Sequence, residues 1–376
     1  MAIFIDSLIV DQFRGIINLN VDKLNHVNII AGDNNSGKSS LLEAILLLRN
    51  PSDFNNILRV ARMRDLNTRF NNASKYENFI NLFPQNVKKP EIYVKCTCYK
   101  EIVLVNLKGE QKKIMLTPDD IYRNLPLANR DRRLRQYPDN METMVFTGNL
   151  IYMLNSKEYV TEVDYSVYSE PLRREISSNN FIDMTYLSPS DHLRGNIFNR
   201  IIRDDVYKDI CLNILRQFDS EIIDILYINN EDTNRPVEYI KHKTLGIMPL
   251  STYGDGIKKV LSLANGIARS TNGVLLIDEL ETAIHSKYYD DIFRFIVKAC
   301  KQFQVQLFVT THNIEAIDSL LATQDYNKSV DYIADVDDIS VITFKKELKS
   351  NRTLSRVLSG REVHKNREEF GFEVRL

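Results

Sequence analysis

Features that place a protein outside the cytoplasm are scarce in this sequence. Only 4 of the 376 residues are cysteines, which is too few for a disulfide-stabilised scaffold and typical of a reduced protein. No apolar run approaches the roughly 20 residues that span a bilayer. The first residues include Asp6 and Asp11 among short apolar runs, unlike a secretory signal peptide. We therefore expect a cytoplasmic protein with no membrane segment.

The cysteines also lack the spacing of a metal site. Cys96 and Cys98 alternate with Thr97 in a strand-like run, and neither a second pair nor nearby histidines follow to complete a zinc site. Cys211 and Cys300 are isolated in the sequence. We predict four plain thiols that are buried or half-buried.

An excess of charge of either sign is missing as well. The formal net charge is -1, so the whole chain has no electrostatic attraction to nucleic acid, and any site for a polyanion must be local. With 43% hydrophobic and 26% charged residues, the composition is that of an ordinary globular protein. The length suffices for one large domain or two ordinary ones. Internal repeats, low-complexity tracts and long heptad runs are absent.

The hydrophobic pattern changes along the chain. Its last third alternates apolar strands with amphipathic helices, which is typical of a parallel α/β sheet, whereas the start and middle favour antiparallel strands. The run ISVITFK, residues 339–345, is predicted as the last strand. The predicted helices cover residues 38–50, about 191–226, 256–269, 286–302 and 313–321.

A glycine-rich loop lies between a predicted buried strand and an apolar helix. In the stretch GDNNSGKSS, Gly32, Gly37, Lys38 and Ser39 fit the pattern G-x-x-x-x-G-K-[ST]. The backbone N–H groups of such a loop wrap phosphate oxygens, and the N-terminus of the following helix adds a positive field. Lys38 would reach the β- and γ-phosphates, and the Ser39 hydroxyl would ligate Mg²⁺. The predicted nucleotide-binding residues of this loop are Gly32, Asn34, Asn35, Ser36, Gly37, Lys38, Ser39 and Ser40.

A second motif, GVLLIDELE, is an apolar strand that runs straight into two carboxylates. Burying such charges is costly unless they have partners. Taken alone, the motif could be a strand that ends in an acidic turn. Beside a phosphate loop, we predict that Asp278 holds Mg²⁺ or its water and that Glu279 acts as the general base towards the attacking water.

Two further motifs follow the same logic. FVTTHN is an apolar strand that ends at His312, which we predict to contact the γ-phosphate or the attacking water. STYGDG contains Ser251, Gly254 and Gly256 and opens a helix, so it is a second potential anion site. A protein with one phosphate loop has no evident need of a second in the same site, and an N-capped helix is the simpler interpretation of the turn alone.

The order of these four motifs resembles that of the ABC-type ATPases. The opening LIVDQFRGIINLNV, the phosphate loop, STYGDGIKKVLSLA, LLIDELETAIHSKYYDDIF and LFVTTHNIEAID are similar to the SMC/RecF/OLD-like branch of these proteins rather than to a transporter subunit. The resemblance implies an α/β fold of the ABC-ATPase P-loop type, with a mixed central sheet, antiparallel N-terminal strands and a helical/β insertion. It covers residues 1–50 and 240–345 well.

The resemblance also implies a domain arrangement. Residues 1–50 and 181–376 would form the ATPase core, and residues 51–180 an insertion that completes the nucleotide-binding lobe. A glutamine normally lies between the phosphate loop and the serine-glycine turn. Residues 186–196 occupy about the right region and contain none, so the sequence does not locate the Mg²⁺-linked switch.

In this family two copies form a head-to-tail homodimer around two ATP molecules. By the resemblance, Ser251, Gly254 and Gly256 would meet the γ-phosphate held by the partner copy, and residues 281–285 would lie at the dimer interface. Higher assemblies remain open. The implied cofactors are ATP and Mg²⁺. ATP is favoured over GTP because NKSV, residues 327–330, lacks the aspartate of the base-reading pattern N-K-x-D.

The chain departs from several relatives of this branch. It has no room for the long coiled coils of SMC proteins. Only 58 residues follow TTHNIEAID, and ADVDD at 334–338 has no upstream glutamate motif, so we expect no nuclease in this chain.

An arginine-rich loop, residues 119–140, is the local positive feature. Arginine grips phosphates and stacks on bases, so nucleic acid is one candidate ligand. A solvated loop with nearby aspartates as counter-charges, or a protein contact, explains the same composition. The arginines concerned are Arg123, Arg130, Arg132, Arg133 and Arg135.

Three functional hypotheses follow. The first is an ATP-hydrolysing switch whose output lies in an effector protein, because stand-alone relatives of this size are often bacterial anti-phage or toxin-antitoxin-like ATPases. The second is a DNA-binding repair or recombination ATPase of the RecF kind. The third is a non-catalytic scaffold that binds ATP and scarcely hydrolyses it, against which Glu279 argues.

Overall fold

The fold is taken from a computed structural model of the chain. It describes residues 3–64, 73–85, 89–116, 141–167, 169, 180–193, 204–230, 236–326, 337–347 and 352–371. None of the helices in these ranges is long and apolar enough to cross a membrane.

Strands and helices are numbered in chain order. The strands are β1 Ile5–Phe13, β2 Ile16–Val21, β3 Val27–Ala31, β4 Glu91–Cys98, β5 Glu101–Leu116, β6 Met141–Leu154, β7 Lys157–Ser166, β8 Met184–Leu187, β9 Ile222–Asn229, β10 Pro236–His242, β11 Gly246–Pro249, β12 Val274–Ile277, β13 Gln306–Thr311, β14 Ile339–Lys346 and β15 Thr353–Ser359. The α-helices are α1 Lys38–Leu47, α2 Phe54–Arg62, α3 Lys75–Ile80, α4 Asp205–Phe218, α5 Asp255–Arg269, α6 Tyr289–Gln302, α7 Ile314–Leu321 and α8 Gly360–Phe370.

The mixed sheet carries the site. Its strand order is β15-β14-β3-β13-β12-β8. The pairs from β14 to β8 are parallel, and β15 runs antiparallel to β14. Strands β3, β12 and β13 are buried along their whole length, which is why their sequences are nearly continuous apolar runs. The predicted α/β class with a mixed central sheet is confirmed.

An antiparallel sheet forms a second layer, in the order β2-β1-β4-β5-β6-β7. Helix α1 packs between the two sheets, in a core that includes Leu41 and Ile45 from the helix, Val10 from β1 and Phe308 from β13. Helices α5, α6 and α7 cover the other face of the mixed sheet. A small sheet, β11-β10-β9, packs with α4 and α5. The phosphate-loop helix is therefore enclosed between two sheets.

The predicted insertion, residues 51–180, contributes strands β4 to β7 to the sheet that β1 and β2 begin. The division of the chain into core and insertion stays a prediction. The whole of the arginine-rich loop, residues 119–140, lies outside the described residues.

One helix prediction is wrong in extent. Of the stretch 191–226, residues 191–193 form a 3₁₀ turn, α4 covers Asp205–Phe218, and β9 begins at Ile222. Short apolar runs fit a helix and a buried strand equally well, and pairing of β9 with β10 decides for the strand. The final strand β15 and helix α8 lie beyond the element predicted as last.

The four cysteines are free and buried, as predicted. Burial raises the pKa of the Cys98 and Cys211 thiols to about 12. They are therefore packing residues rather than reactive thiols.

An aromatic cluster holds α2 and α3 against the antiparallel sheet. Phe79 is fully buried. Its ring centroid lies 5.1 Å from those of Phe146 and Tyr165 and 5.5 Å from those of Phe54 and Phe83, in edge-to-face geometry. Such pairs add to the free energy of burial.

We expect Phe79→Ala to lower the free energy of unfolding by about 3–5 kcal/mol, because it removes a buried ring and leaves a cavity among four others. Urea titration followed by fluorescence or circular dichroism measures this change. Val160→Ala is the control, since Val160 is 59% exposed and its truncation should change the free energy by less than about 0.5 kcal/mol. Equal losses in the two variants would contradict the central place of Phe79.

Candidate functional site

The loop between β3 and α1 has the backbone of an anion cradle. Gly32 and Gly37 have φ of 148° and 104°, which favours glycine at both positions. Gly37 is the N-cap of α1, and no side chain accepts a hydrogen bond from the first N–H groups of this helix. Unpaired N–H groups at a helix N-terminus are donors for a phosphate. The loop therefore fits the predicted nucleotide.

Lys38 is held over this loop. Its Nζ donates to the carbonyl oxygens of Gly32 at 2.8 Å and Asp33 at 2.7 Å. Burial lowers the pKa of Lys38, and the negative charges of Asp278 and Glu279 act in the opposite direction. An ammonium group in this position can exchange loop carbonyls for phosphate oxygens, because both are hydrogen-bond acceptors.

Asp278 is the polar centre of the site. Its side chain is buried at the end of β12 and accepts three hydroxyl hydrogen bonds. Ser39 Oγ and Thr310 Oγ1 donate to Oδ1 at 3.0 Å and 2.6 Å, and Tyr186 OH donates to Oδ2 at 3.1 Å. These residues come from four elements that meet at the carboxyl edge of the mixed sheet.

The same arrangement fits a magnesium ion. The Ser39 hydroxyl and the Asp278 carboxylate are adjacent oxygen donors, which Mg²⁺ prefers, and this ion usually takes its remaining ligands from water and phosphates. In the described ranges, no group of three or more His, Cys, Asp or Glu side chains could hold a metal by itself. The site would therefore bind Mg²⁺ together with a nucleotide.

Glu279 follows Asp278 in an unusual backbone conformation. Its φ is 49°, in the left-handed region that costs free energy for a residue other than glycine and is common at functional sites. Its N–H donates to Thr310 Oγ1 at 2.8 Å, and its Oε2 accepts from Thr282 Oγ1 at 3.2 Å. The side chain is partly exposed. Its carboxylate is thus held at the edge of the site, where a general base can meet water.

His312 lies immediately after β13, with a side chain that is 50% exposed. Its backbone N–H donates to Glu281 Oε1 at 3.1 Å, and its Nδ1 lies 3.2 Å from the same oxygen. One carboxylate oxygen therefore contacts both the backbone and the ring of His312.

The serine-glycine turn lies apart from these groups. Ser251 is in the 3₁₀ turn Leu250–Thr252, and Gly254 is the N-cap of α5 without a side-chain hydrogen bond. Both are exposed, and Gly256 is half-buried. No hydrogen bond or ion pair in the described part of the chain joins this turn to the phosphate loop.

Two contacts of Asp278 were not predicted. Thr310 stands two residues before His312 in a strand already assigned to the site, so its polar side chain at the end of an apolar run was the available signal. Tyr186 is the penultimate residue of β8, within the region where the sequence offers no glutamine. Its hydroxyl contacts the carboxylate predicted to bind Mg²⁺, and only the parallel pairing of β8 with β12 brings the two together.

A cluster of charged groups behind the loop was also missed. Glu43 is buried on α1, and its carboxylate pairs with Arg14 Nε at 2.6 Å and Arg64 Nε at 2.7 Å. Arg64 Nη2 also donates to the hydroxyl of Ser40 at 3.0 Å. A lone glutamate in an apolar helix signals a buried partner, but the sequence does not show which arginine supplies it.

The fold is that of a P-loop ATPase domain and is shared with SMC heads. The chain belongs to the family described as "AAA domain, putative AbiEii toxin, Type IV TA system", whose model matches residues 27–318.

Relatives and solved structures are similar to the chain over most of its length. An ATP/GTP phosphatase of Helicobacter pylori is 24% identical over 351 residues, which cover 86% of this chain and 90% of the relative. An SMC head bound to the C-terminal winged-helix domain of ScpA has a TM-score of 0.52 at 14% identity and covers 96% of this chain and 100% of that one. The SMC head with an extended coiled coil, bound to the C-terminal domain of ScpA derived from Pyrococcus furiosus, has a TM-score of 0.51 at 13% identity, with coverages of 98% and 100%.

We expect Thr310→Val to lower the free energy of unfolding by about 2–3 kcal/mol, because Asp278 Oδ1 loses a charge-assisted hydrogen bond and the Glu279 N–H loses its acceptor. Urea titration at neutral pH measures this loss. Thr311→Val is the matched control in the same strand, since its hydroxyl contacts only the backbone of Asn313, and it should cost about 1 kcal/mol. Equal losses would mean that Thr310 does not support Asp278.

Proposed function

We propose that the chain is an ATP-hydrolysing switch that acts with an effector protein in bacterial anti-phage defence or in a toxin-antitoxin-like system. The observation that carries the proposal is the hydrogen bond between Ser39 and Asp278, which joins the phosphate loop to the acidic strand, with Lys38 and Glu279 beside it. The family description and the name of the Helicobacter pylori relative support nucleotide hydrolysis and a toxin-antitoxin setting.

Each residue of the site has a distinct part in this proposal. The loop N–H groups and Lys38 would hold the β- and γ-phosphates, and Ser39 and Asp278 would hold Mg²⁺. The ion, when bound, supplies positive charge that stabilises the charge developing on the transferred phosphoryl group. Glu279 would take a proton from the attacking water while Thr282 fixes one of its oxygens. His312 would donate a hydrogen bond to the γ-phosphate or orient the water.

A homodimer is the second part of the proposal. The turn with Ser251 and Gly254 is exposed, and no hydrogen bond or ion pair among the described residues joins it to its own phosphate loop, as expected for a turn that binds the nucleotide of a partner copy. The solved SMC heads named above were each bound to a domain of ScpA, so heads of this fold can hold a protein partner. The effector of this chain would be such a partner, regulated by closure and opening of the dimer.

ATP is the proposed substrate. The Helicobacter pylori relative carries both ATP and GTP in its name, so competition between the two nucleotides is a direct comparison to make. The DNA-binding alternative rests on arginines outside the described residues, and no described contact favours it.

Lys38→Ala should abolish nucleotide binding, because the loop loses the ammonium group assigned to the β- and γ-phosphates. Isothermal titration with Mg²⁺-ATP and with a non-hydrolysable analogue measures this binding. Lys365→Ala is the control, since its ammonium is on the surface, with 68% of the side chain exposed. Retained tight binding by Lys38→Ala would remove the loop's assigned role.

Glu279→Gln should retain ATP binding while slowing hydrolysis by on the order of a hundredfold or more, because an amide cannot accept the proton of water. The trapped ATP should accumulate the dimer, seen by light scattering, and a tagged form should co-purify the effector from the native host. Glu158→Gln, an exposed substitution on β7, is the control. Unchanged turnover would rule out Glu279 as the base, and absence of turnover in the unmodified chain would favour the scaffold hypothesis.

A further inference from the structure

Glu281 has no part in the chemistry proposed above, yet it is one of the most enclosed charges near the site. Its side chain is only 7% exposed. Oε1 contacts His312 twice, through the backbone N–H at 3.1 Å and through ring Nδ1 at 3.2 Å. A carboxylate beside Nδ1 selects the ring form that carries hydrogen on Nδ1, and it fixes the direction in which Nε2 points.

The second carboxylate oxygen of Glu281, Oε2, indicates that this side chain does more than accept hydrogen bonds from His312. Oε2 is buried and accepts no hydrogen bond from the described residues. A buried carboxylate oxygen that accepts no hydrogen bond needs a nearby positive charge to offset the cost of its burial. Lys259, on α5, is 2% exposed. Burial lowers the pKa of Lys259 to about 8, and Glu281 is the strongest of the carboxylates that act against this effect.

We infer that Glu281 is a positioning residue that orients the imidazole of His312, and that Lys259, buried on the neighbouring helix α5, is its counter-charge. The inference rests on the proposed function only in assigning His312 a contact with the nucleotide. The side chain of His312 is half-exposed, so the orientation of the ring decides what Nε2 can reach.

Helix α5, which begins at the serine-glycine turn, lies beside the segment that contains Glu281. Lys259 lies one turn into α5, the helix that the serine-glycine turn opens. At the start of this helix, Gly256 lies so close to the 279–285 segment that a Cβ would be 3.4 Å from the Ala283 carbonyl oxygen. Ala283 itself has a φ of 67°. This packing places Lys259 on the helix next to the segment that carries Glu281.

A double-mutant cycle tests the positioning role. Glu281→Ala and His312→Ala should each lower kcat for ATP by about tenfold or more with little change in KM, because a misplaced group costs rate rather than ground-state binding. The double variant should be no slower than His312→Ala alone. Glu238→Ala, which removes a buried carboxylate on β10, is the control for general loss of stability. Additive losses in the cycle would overturn the inference.

Ring NMR provides a second readout that does not depend on hydrolysis. In protein labelled with ¹⁵N-histidine, long-range spectra should show His312 as the Nδ1–H form, assigned by its absence in His312→Gln. Two variants of equal charge make the comparison: Lys259→Met/Glu281→Gln keeps an acceptor oxygen, and Lys259→Met/Glu281→Met removes it. We expect the Nδ1–H form in the first and its loss in the second. The same ring form in both would overturn the inference, even if the unmodified chain fails to hydrolyse ATP.

Thermal unfolding tests the counter-charge. Lys259→Met and Glu281→Gln should each lower the Tm, because each leaves one buried charge without its opposite. The double variant should recover most of the loss, since it buries neither charge. If the two decreases in Tm simply add, Lys259 does not balance Glu281, and that part of the inference fails.

Discussion

The site depends on the buried carboxylate of Asp278. Three hydroxyls, from Ser39, Thr310 and Tyr186, donate to its two oxygens. Each comes from a different element, so one charged group sets the relative positions of α1, β13 and β8. A buried carboxylate is tolerated only when such donors satisfy it. The phosphate loop is thereby attached to the edge of the mixed sheet before any nucleotide binds.

The 279–285 segment, which directly follows Asp278, is also held in place by contacts with the rest of the site. It begins with Glu279 and includes Ala283, both with positive φ and neither a glycine. Such conformations persist only where surrounding contacts hold them. Here Thr310 and Thr282 hold Glu279, and Gly256 packs beside Ala283. One short segment thus contains the proposed base and contacts the strand-end histidine and the helix of the serine-glycine turn.

The family and the α/β fold were confirmed, because the phosphate loop and the acidic strand combine short motifs with the buried strands that such motifs need. Lys38 could be found because it completes the glycine-loop pattern G-x-x-x-x-G-K-[ST], and Asp278 because it follows a continuous apolar run. The extent of the helix predicted over 191–226 was wrong, because Ile222 and Ile225 suit a helix and a strand alike. The assigned roles of the site residues remain predictions, as do the homodimer and the effector.

The sequence by itself determined the elements at which charge is placed: a cationic loop after β3, an acidic pair after β12 and a histidine after β13. These positions follow from local patterns, because strand ends and glycine turns are encoded within a few residues. The tertiary structure alone decided the partners of those charges. Tyr186 meets Asp278 across 92 residues of sequence, and the packing of α5 beside the 279–285 segment brings the charge of Lys259 near that of Glu281. Contacts between distant segments depend on strand order and helix packing, which no local pattern contains.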